Sequence, residues 1–388
     1  MLFFPSPSAI GQVPSVLTYP MHGQTKLSSE GYRTRDGHVI EWLGRLMGNV
    51  TVVSRPEPFP LAARPLRGRP PVPGTRSIRT NARSWPISSD RRRWWPQSTR
   101  WYPELPEEAD DVPAIVWNPF LAVAPGRRNP FTTRRTVVLD LLDDWTRHFA
   151  FASIRPEVDD AYRAAFERAD LVTANGEGTA DLARRFGRDD VTLLLNGCDP
   201  DIFSATSLAT GRTVVGYVGK MGRRLDLDGI LTTVRALPEV DFRFAGPVLD
   251  RGFAGPLRRL PNVTLLGDVP YDRVPSLLQS FDIGWVPHRV GDGEVGGDVI
   301  KTYEYRAAGL PVLSTQIDGA GTRGLRGTTA LPVGEHVSVI RTWTKDGPRV
   351  PRRPAEVPED VTWRFKATTL LRMLDRSDHQ TAGSSCVS

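Results

Sequence analysis

The sequence predicts an α/β protein made of two doubly wound parallel sheets, and three observations carry the prediction. Short apolar runs of buried-strand type alternate with amphipathic stretches along most of the chain, the pattern of parallel strands covered by helices on both faces. One polar stretch, 204–212, interrupts that alternation and reads as an interdomain linker. At 388 residues the chain can form two domains, each burying its own core. The expected organisation is a first domain over 1–203 with a Pro/Arg/Trp-rich insertion at about 55–111, and a second over 204–350. A C-terminal helix over 351–376 packs back on the first domain, and 377–388 is a disordered tail.

Pro14–Tyr19 is the first strand, and a polar loop follows it. Val39, Trp42, Leu43 and Leu46 mark one face of a helix within Gly31–Met47, and Val50–Val53 is the next strand. The loop lies beyond the carboxyl end of the first strand, where α/β proteins place ligands, so His22, Gly31 and Arg33 are candidate ligand residues beside Gly23. Between Arg55 and Asp111 no period survives, and tryptophan and arginine cluster in Arg91-Arg-Arg-Trp-Trp-Pro-Gln-Ser-Thr-Arg-Trp-Tyr102. This is either a basic aromatic surface for an anionic partner or lipid headgroups, or an irregular insertion whose tryptophans pack on the domain while its arginines are solvated.

Val112–Trp117 and Thr136–Asp140 are buried-type runs. Asp140, Asp143 and Asp144, with His148 behind them, form either a polar cluster at a strand's carboxyl end or the caps of the next helix. A helix over about Pro156–Ala169, strand Asp170–Ala174, helix Gly178–Phe186, strand Val191–Leu195 and the turn Asn196-Gly-Cys-Asp199 follow.

The second series opens with strand Thr213–Val218 and the loop Gly219-Lys-Met-Gly-Arg-Arg224. Glycines beside basic residues at a strand's end allow close backbone approach and supply countercharge to a diphosphate. Helix Leu227–Leu237, strands Val240–Ala245 and Val263–Leu266, helix Val274–Phe281 and strand Ile283–Val286 continue the alternation. A Gly-rich run, Gly291–Gly297, then leads into a helix over Asp298–Ala308 and a strand over Leu310–Thr315. Val299, Ile300, Tyr303 and Ala307 form its apolar stripe, and Lys301 and Glu304 lie three apart on another side. Asp298 is the expected N-cap and Gly309 the C′ residue, and Pro311 bars continuation. Free amides at the start of this helix favour an anion, which suggests a phosphate-bearing ligand; the alternative is an ordinary amphipathic helix with a surface Lys/Glu pair. The run Thr329–Val333, a Pro-rich segment over Gly347–Pro358 and a helix over Val361–Leu374 close the chain.

Charged residues make up 24% and hydrophobic ones 39%, as in a soluble globular protein, and no apolar run approaches the ~18 residues of a membrane span. Met1-Leu-Phe-Phe-Pro5 lacks a basic n-region, so no signal peptide is expected. Two cysteines, Cys198 and Cys386, cannot make a disulfide framework or a cysteine-rich zinc site, and a reducing cytoplasm is expected. The net charge of +6 suits polyanions, anionic membrane surfaces or phosphate-bearing substrates alike.

Four motifs together resemble the group 1 (GT4-like) glycosyltransferases of GT-B fold. They are Ala169-Asp-Leu-Val-Thr-Ala-Asn-Gly176, Asn196-Gly-Cys-Asp-Pro-Asp-Ile-Phe203, Gly216-Tyr-Val-Gly219 with its basic loop, and Lys301-Thr-Tyr-Glu-Tyr-Arg-Ala-Ala-Gly-Leu-Pro-Val312. The resemblance implies two Rossmann-like domains facing across a cleft, and transfer of a sugar from a nucleotide-sugar donor to a hydroxyl of a polysaccharide, glycolipid or protein. It implies retention at the anomeric carbon and no metal or other cofactor. Glu304 would bind the donor ribose, and Lys220 with Arg223 or Arg224 the diphosphate, with Gly219, Asp298 and Lys301 beside them. His22, Gly31 and Arg33 would be acceptor-side, and Asp143, Asp144 and His148 are candidates for the activating base by placement. The family's second glutamate is replaced by Gly296, with Asp292, Glu294 and Asp298 as nearby acids out of register. Cys198 stands where a small aliphatic residue is usual. A cytoplasmic location is expected, with peripheral contact at the inner face of an anionic membrane as a further option, and nucleic acid is not expected as a partner. Two rival readings share this chain: a GT-B sugar-nucleotide epimerase, and a non-catalytic basic protein that binds nucleic acid or an anionic membrane.

Overall fold

The computed structural model describes residues 13–82, 90–291, 297–317, 327–353 and 356–384, with backbone alone at Arg91, Arg251 and 376–384. It comprises two compact units. Unit 1 runs to Leu195 and includes the segment from Trp363, and unit 2 is Asn196–Thr362. The division precedes the expected 203/204 boundary because the Asn196-Gly197 turn is held by unit 2: Cys198 N–H donates to the carbonyl of Val361 at 3.0 Å.

Unit 1 contains β1 Val16–Tyr19, α1 Gln24–Glu30, α2 Arg35–Met47, β2 Val50–Val53, β3 Glu57–Pro58, β4 Thr75–Ile78, β5 Asn81–Ala82, α3 Trp94–Ser98, β6 Ala114–Val116, β7 Val137–Leu141, α4 Arg155–Arg168, β8 Leu171–Ala174, α5 Glu177–Arg185 and β9 Val191–Leu193. Its parallel sheet has the order β4-β2-β1-β6-β7-β8-β9, and β3 and β5 pair separately. The four central strands β2, β1, β6 and β7 are buried along their whole length, which is why they read as continuous apolar runs rather than alternating ones.

Two expectations are corrected in this unit. The polar loop after β1 contains α1, a helix that long-range partners hold in place: Gln24 N–H donates to Ser54 Oγ at 2.8 Å and Thr25 N–H to Glu57 at 3.1 Å. The insertion is not structureless either. Its β4 joins the main sheet, and Trp94 and Trp95 on α3 are 8% and 7% exposed. Trp95 packs edge-on against Trp145 and Phe151 at 5.0 and 5.5 Å, so these two tryptophans pack on the domain core. Trp85 lies outside the described residues.

Unit 2 contains β10 Val214–Val218, α6 Leu227–Ala236, β11 Asp241–Ala245, α7 Arg251–Arg258, β12 Val263–Gly267, α8 Val274–Gln279, β13 Ile283–Val286, α9 Ile300–Ala307, β14 Val312–Ser314, β15 Thr328–Ala330 and α10 His336–Trp343. The sheet is parallel with the order β12-β11-β10-β13-β14-β15. Side chains alternate across it as a strand's two-residue period demands. Val215, Tyr217, Trp285 and Leu313 join Phe242 and Phe244 in one core, while Val214, Val286 and Val312 join Phe281 and Tyr305 in another. The helices α7 and α10 escaped the sequence pattern, α7 because Gly252, Gly255 and Pro256 dilute its periodicity.

The last helix, α11 Trp363–Ser384, lies in unit 1 and packs on α2. Trp363 is fully buried and stacks on His38, with ring centroids 4.8 Å apart. The helical backbone continues past the expected end at Leu374 and through the expected disordered tail to Ser384, since Asp375–Ala382 contains no Pro or Gly. Residues 385–388 lie outside the described residues.

Candidate functional site

The strand order of unit 2 reverses direction between β10 and β13, and the carboxyl ends of the two strands on either side of such a reversal flank the crevice where doubly wound sheets bind ligands. Gly219 leaves β10 there and His288 leaves β13. The Gly219 loop is fixed by backbone bonds: Gly219 N–H to the carbonyl of Ala245 at 2.8 Å, and Met221 N–H to that of Pro247 at 2.9 Å. Gly219 has a φ of +151°, and a Cβ placed on it would sit 2.9 Å from Lys301 Cε and 2.9 Å from Tyr217 Oη. Only glycine lets the Lys301 stem lie against this loop. The Lys301 ammonium is 5.3 Å from the centre of the Tyr217 ring, whose hydroxyl donates to the Lys220 carbonyl at 3.0 Å. Lys220 and Arg224 are half-buried and Arg223 is exposed, 3.8 Å from Asp250.

His288 is 95% buried, by its 5% exposure, and its Nε2 has no hydrogen-bond partner among the described residues. Burial, with Lys301 and Arg224 adding repulsion, holds its pKa well below the ordinary histidine value, so the ring is neutral. Sequence reasoning passed over His288, because a lone histidine after an apolar strand carries no spacing signal.

The helix α9 begins one residue later than expected. Its N-cap is Val299, and Asp298 serves as a clamp: its carboxylate accepts from Asn196 N–H at 3.0 Å, Val299 N–H at 2.9 Å and Tyr303 hydroxyl at 2.7 Å. Asn196 Nδ2 returns a bond to the Asp298 carbonyl at 2.8 Å. Asp298 thus ties the Asn-Gly turn to the helix. The other end is as expected. Gly309 has φ +73°, its N–H donates to Arg306, and Leu310 N–H donates to Tyr305, the paired bonds of a Schellman ending.

Glu304 is 5% exposed, and the Tyr271 hydroxyl donates to its Oε1 at 2.8 Å. Its Oε2 makes no hydrogen bond among the described residues. Burial raises its pKa, opposed by the Tyr271 bond and by the Lys301 charge. The alternative of a surface Lys/Glu pair does not hold: Glu304 is a buried carboxylate with one oxygen held and the other unengaged among the described residues. Asp292, Glu294 and Gly296 lie outside the described residues.

In unit 1 the expected residues have mixed surroundings. His22 is buried, with Nε2 3.0 Å from Lys26 Nζ. Gly31 is the left-handed C-cap of α1, and Arg33 lies 3.3 Å from Glu30. Asp140 is fully buried and receives Arg35 at 2.8 and 3.0 Å, Trp117 Nε1 at 2.6 Å and Thr173 hydroxyl at 2.7 Å. Asp144 accepts from Thr146 N–H at 3.0 Å and from Arg185 at 2.6 Å. Its carboxylate thus makes a local cap and an ion pair. His148 Nδ1 accepts from Ala150 N–H at 3.0 Å at the start of a 3₁₀ turn. Asp143 is half-buried, and its carbonyl accepts from the Tyr162 hydroxyl at 3.0 Å. A surface groove lined by Asp110, Arg127, Thr133 and Arg168 lies at the amino ends of β6 and β7, the edge opposite the one where parallel sheets place ligands. Among the described residues no group of three His, Cys, Asp or Glu is placed to hold a metal, and no helix is long and apolar enough to cross a membrane.

Residues 212–336, most of unit 2, match the family profile described as Glycosyl transferases group 1. A curated relative, the Bacillus subtilis (strain 168) protein carried under the name teichuronic acid biosynthesis glycosyltransferase TuaH, is 28% identical over 176 residues, 42% of this chain and 44% of that protein. The match thus spans less than half the length of that relative. Among solved structures, sucrose-phosphate synthase from Thermosynechococcus elongatus superposes with a TM-score of 0.67 at 14% identity over 95% of this chain and 98% of that one. Anabaena HepE in complex with UDP and glucose gives 0.59 at 16% identity over 95% and 99%. At such identities the likeness establishes the fold, which is GT-B.

Proposed function

We propose that this protein is a glycosyltransferase that takes a sugar from a nucleotide sugar held in unit 2 and passes it to a hydroxyl group of a glycan-type acceptor. The observation that carries the reading is Glu304, a buried carboxylate with Oε1 fixed by Tyr271 and Oε2 unengaged among the described residues. Such a group selects a ligand with a hydroxyl to donate, and a ribose supplies one. The Lys301 stem against Gly219, with Lys220, Arg223 and Arg224 in the same loop, supplies positive charge where a diphosphate would lie. The match of this unit to the group 1 profile supports the same assignment, and the UDP in the HepE complex makes uridine the first base to test.

In the proposed reaction the bond from the anomeric carbon to the diphosphate breaks, and negative charge grows on the departing β-phosphate. Lys220, Arg224 and Lys301 stabilise that charge in place, and because they are prepositioned no reorganisation is needed as it forms. Transfer with retention and without a metal belongs to the same proposal. Asp143, Asp144 and His148 are the candidates in unit 1 for handling the acceptor proton. A thermal-shift series with UDP-, GDP-, ADP- and dTDP-sugars tests the donor class, because a ligand that binds only the folded state raises its stability with concentration. A shift with one nucleotide family supports the reading, and no shift with any of them overturns it.

A further inference from the structure

We propose that the carboxyl edge of the unit 1 sheet carries an oxyanion site, built by Arg55 on Trp95 with Lys26 and His22 beside it, that takes a phosphate or carboxylate group of the acceptor. That the anion belongs to an acceptor rests on the glycosyl-transfer reading. The site itself does not.

Arg55 leaves the carboxyl end of β2, next to β1, from which His22 emerges. Its guanidinium carbon lies 3.9 Å from the centre of the Trp95 ring. Nε and Nη1 are buried without a hydrogen-bond partner, and the guanidinium makes no hydrogen bond or ion pair among the described residues. Arginine carries five donors and stays charged, so withdrawing two of its nitrogens from water with no acceptor is costly. A carboxylate stands near, but it is committed elsewhere: Glu57 accepts from Thr25 N–H at 3.1 Å and Thr25 hydroxyl at 2.8 Å, and pairs with Arg79 at 3.4 Å.

The surrounding charge points the same way. Glu30 is paired with Lys26 and Arg33, and Glu57 with Arg79, so the nearby glutamates have cations of their own. Arg33 lies 3.3 Å from Glu30 and Lys26 3.8 Å from it, so Glu30 is shared. Lysine only donates, so the 3.0 Å contact makes His22 Nε2 the acceptor and leaves the ring proton on Nδ1. The His22 ring is 6.1 Å from that of Trp95, on the same aromatic wall as Arg55. Stacking on an aromatic face leaves the in-plane N–H groups of a guanidinium without an acceptor, and a pair of them matches the two oxygens of a carboxylate or phosphate.

The test is calorimetric titration of the full chain with inorganic phosphate, with glucuronate, and with glucose as the neutral control. Only the binding component lost in Arg55→Met, which keeps contact with Trp95 but removes every N–H, is assigned to this site. The expected loss is about 10-fold or more for the anion that binds, with a smaller loss in Arg55→Lys, which keeps the charge but not the fork. Phosphate preference identifies a phosphate-bearing acceptor and glucuronate preference an acidic sugar. Glu304→Ala leaves this binding unchanged while weakening UDP, so failure of the donor reading and failure of this site are separate results. If Arg55→Met does not fold, Arg55→Lys carries the test. No anion binding above that of glucose, or wild-type anion affinity in the variant measured, overturns the proposal.

Discussion

Replacing Tyr271 with phenylalanine removes one atom and one hydrogen bond, the 2.8 Å contact from its hydroxyl to Glu304 Oε1. Both side chains are nearly buried, at 8% and 5% exposure, so water does not fully replace the lost donor. A hydrogen bond to a charged group contributes about 1.5–3 kcal/mol. If that bond aims Glu304 at the ribose, UDP affinity falls at most about 10- to 150-fold in Tyr271→Phe. The pH dependence has a definite sign. Burial already raises the Glu304 pKa, and the tyrosine bond pulls it back, so losing the bond raises it further. Affinity carried by the ionised carboxylate is lost as pH falls through that pKa, and in Tyr271→Phe the loss begins at higher pH. Calorimetry with UDP across neutral and mildly acidic pH, on both single variants and the Tyr271→Phe/Glu304→Ala double variant, reads all of this. The reasoning requires that Tyr271→Phe change nothing further once Glu304 is gone; full additivity, or an unchanged pH profile, would refute it.

Three further perturbations follow from the geometry. Gly219→Ala forces a Cβ against Lys301 and Tyr217 at a φ of +151°, a strain of about 1–3 kcal/mol, so the melting temperature falls and UDP binding weakens together; thermal unfolding with and without UDP reads both. Asp298→Ala releases Asn196, Val299 and Tyr303 at once, and removing a half-buried carboxylate from its partners costs about 1–3 kcal/mol, visible as earlier melting and faster hydrogen exchange at the Asn196 amide. His38, stacked on Trp363, has its pKa lowered by burial from 6.5 to about 4. The neutral ring is the folded form, so its stabilising contribution is complete above pH 6.5 and is lost as pH falls toward 4, on the order of 3 kcal/mol in all; His38→Phe flattens the acid limb of thermal stability, and an unchanged limb contradicts the assignment.

The central strands of the two sheets were legible because their residues are buried on both faces and read as unbroken apolar runs. Ile283–Val286 and the Gly309 ending fall where the pattern puts them. What stayed hidden depends on partners distant in sequence. The helix α1 has neither an apolar stripe nor a side-chain cap and exists because Ser54 and Glu57 hold its first amides. Asp298 looked like an N-cap because local spacing cannot reveal that Asn196, a hundred residues earlier, occupies its oxygens. For Trp95 the sequence left open a surface cluster or packing on the domain, and the fold places the indole in the core. At the candidate site, Glu304, Lys301 and the Gly219 loop were marked by a contiguous motif, whereas Tyr271, His288 and Arg55 are single residues on separate loops with no motif of their own.

The central claim is that Glu304 in unit 2 holds the ribose of a nucleotide-sugar donor. Direct titration of the wild-type protein and Glu304→Ala with UDP and the UDP-sugar that gives the largest thermal shift measures it. The account predicts saturable binding to the wild type and a loss of about 10- to 150-fold in the variant, with the variant still folded by circular dichroism. Equal affinity in the two proteins would contradict it.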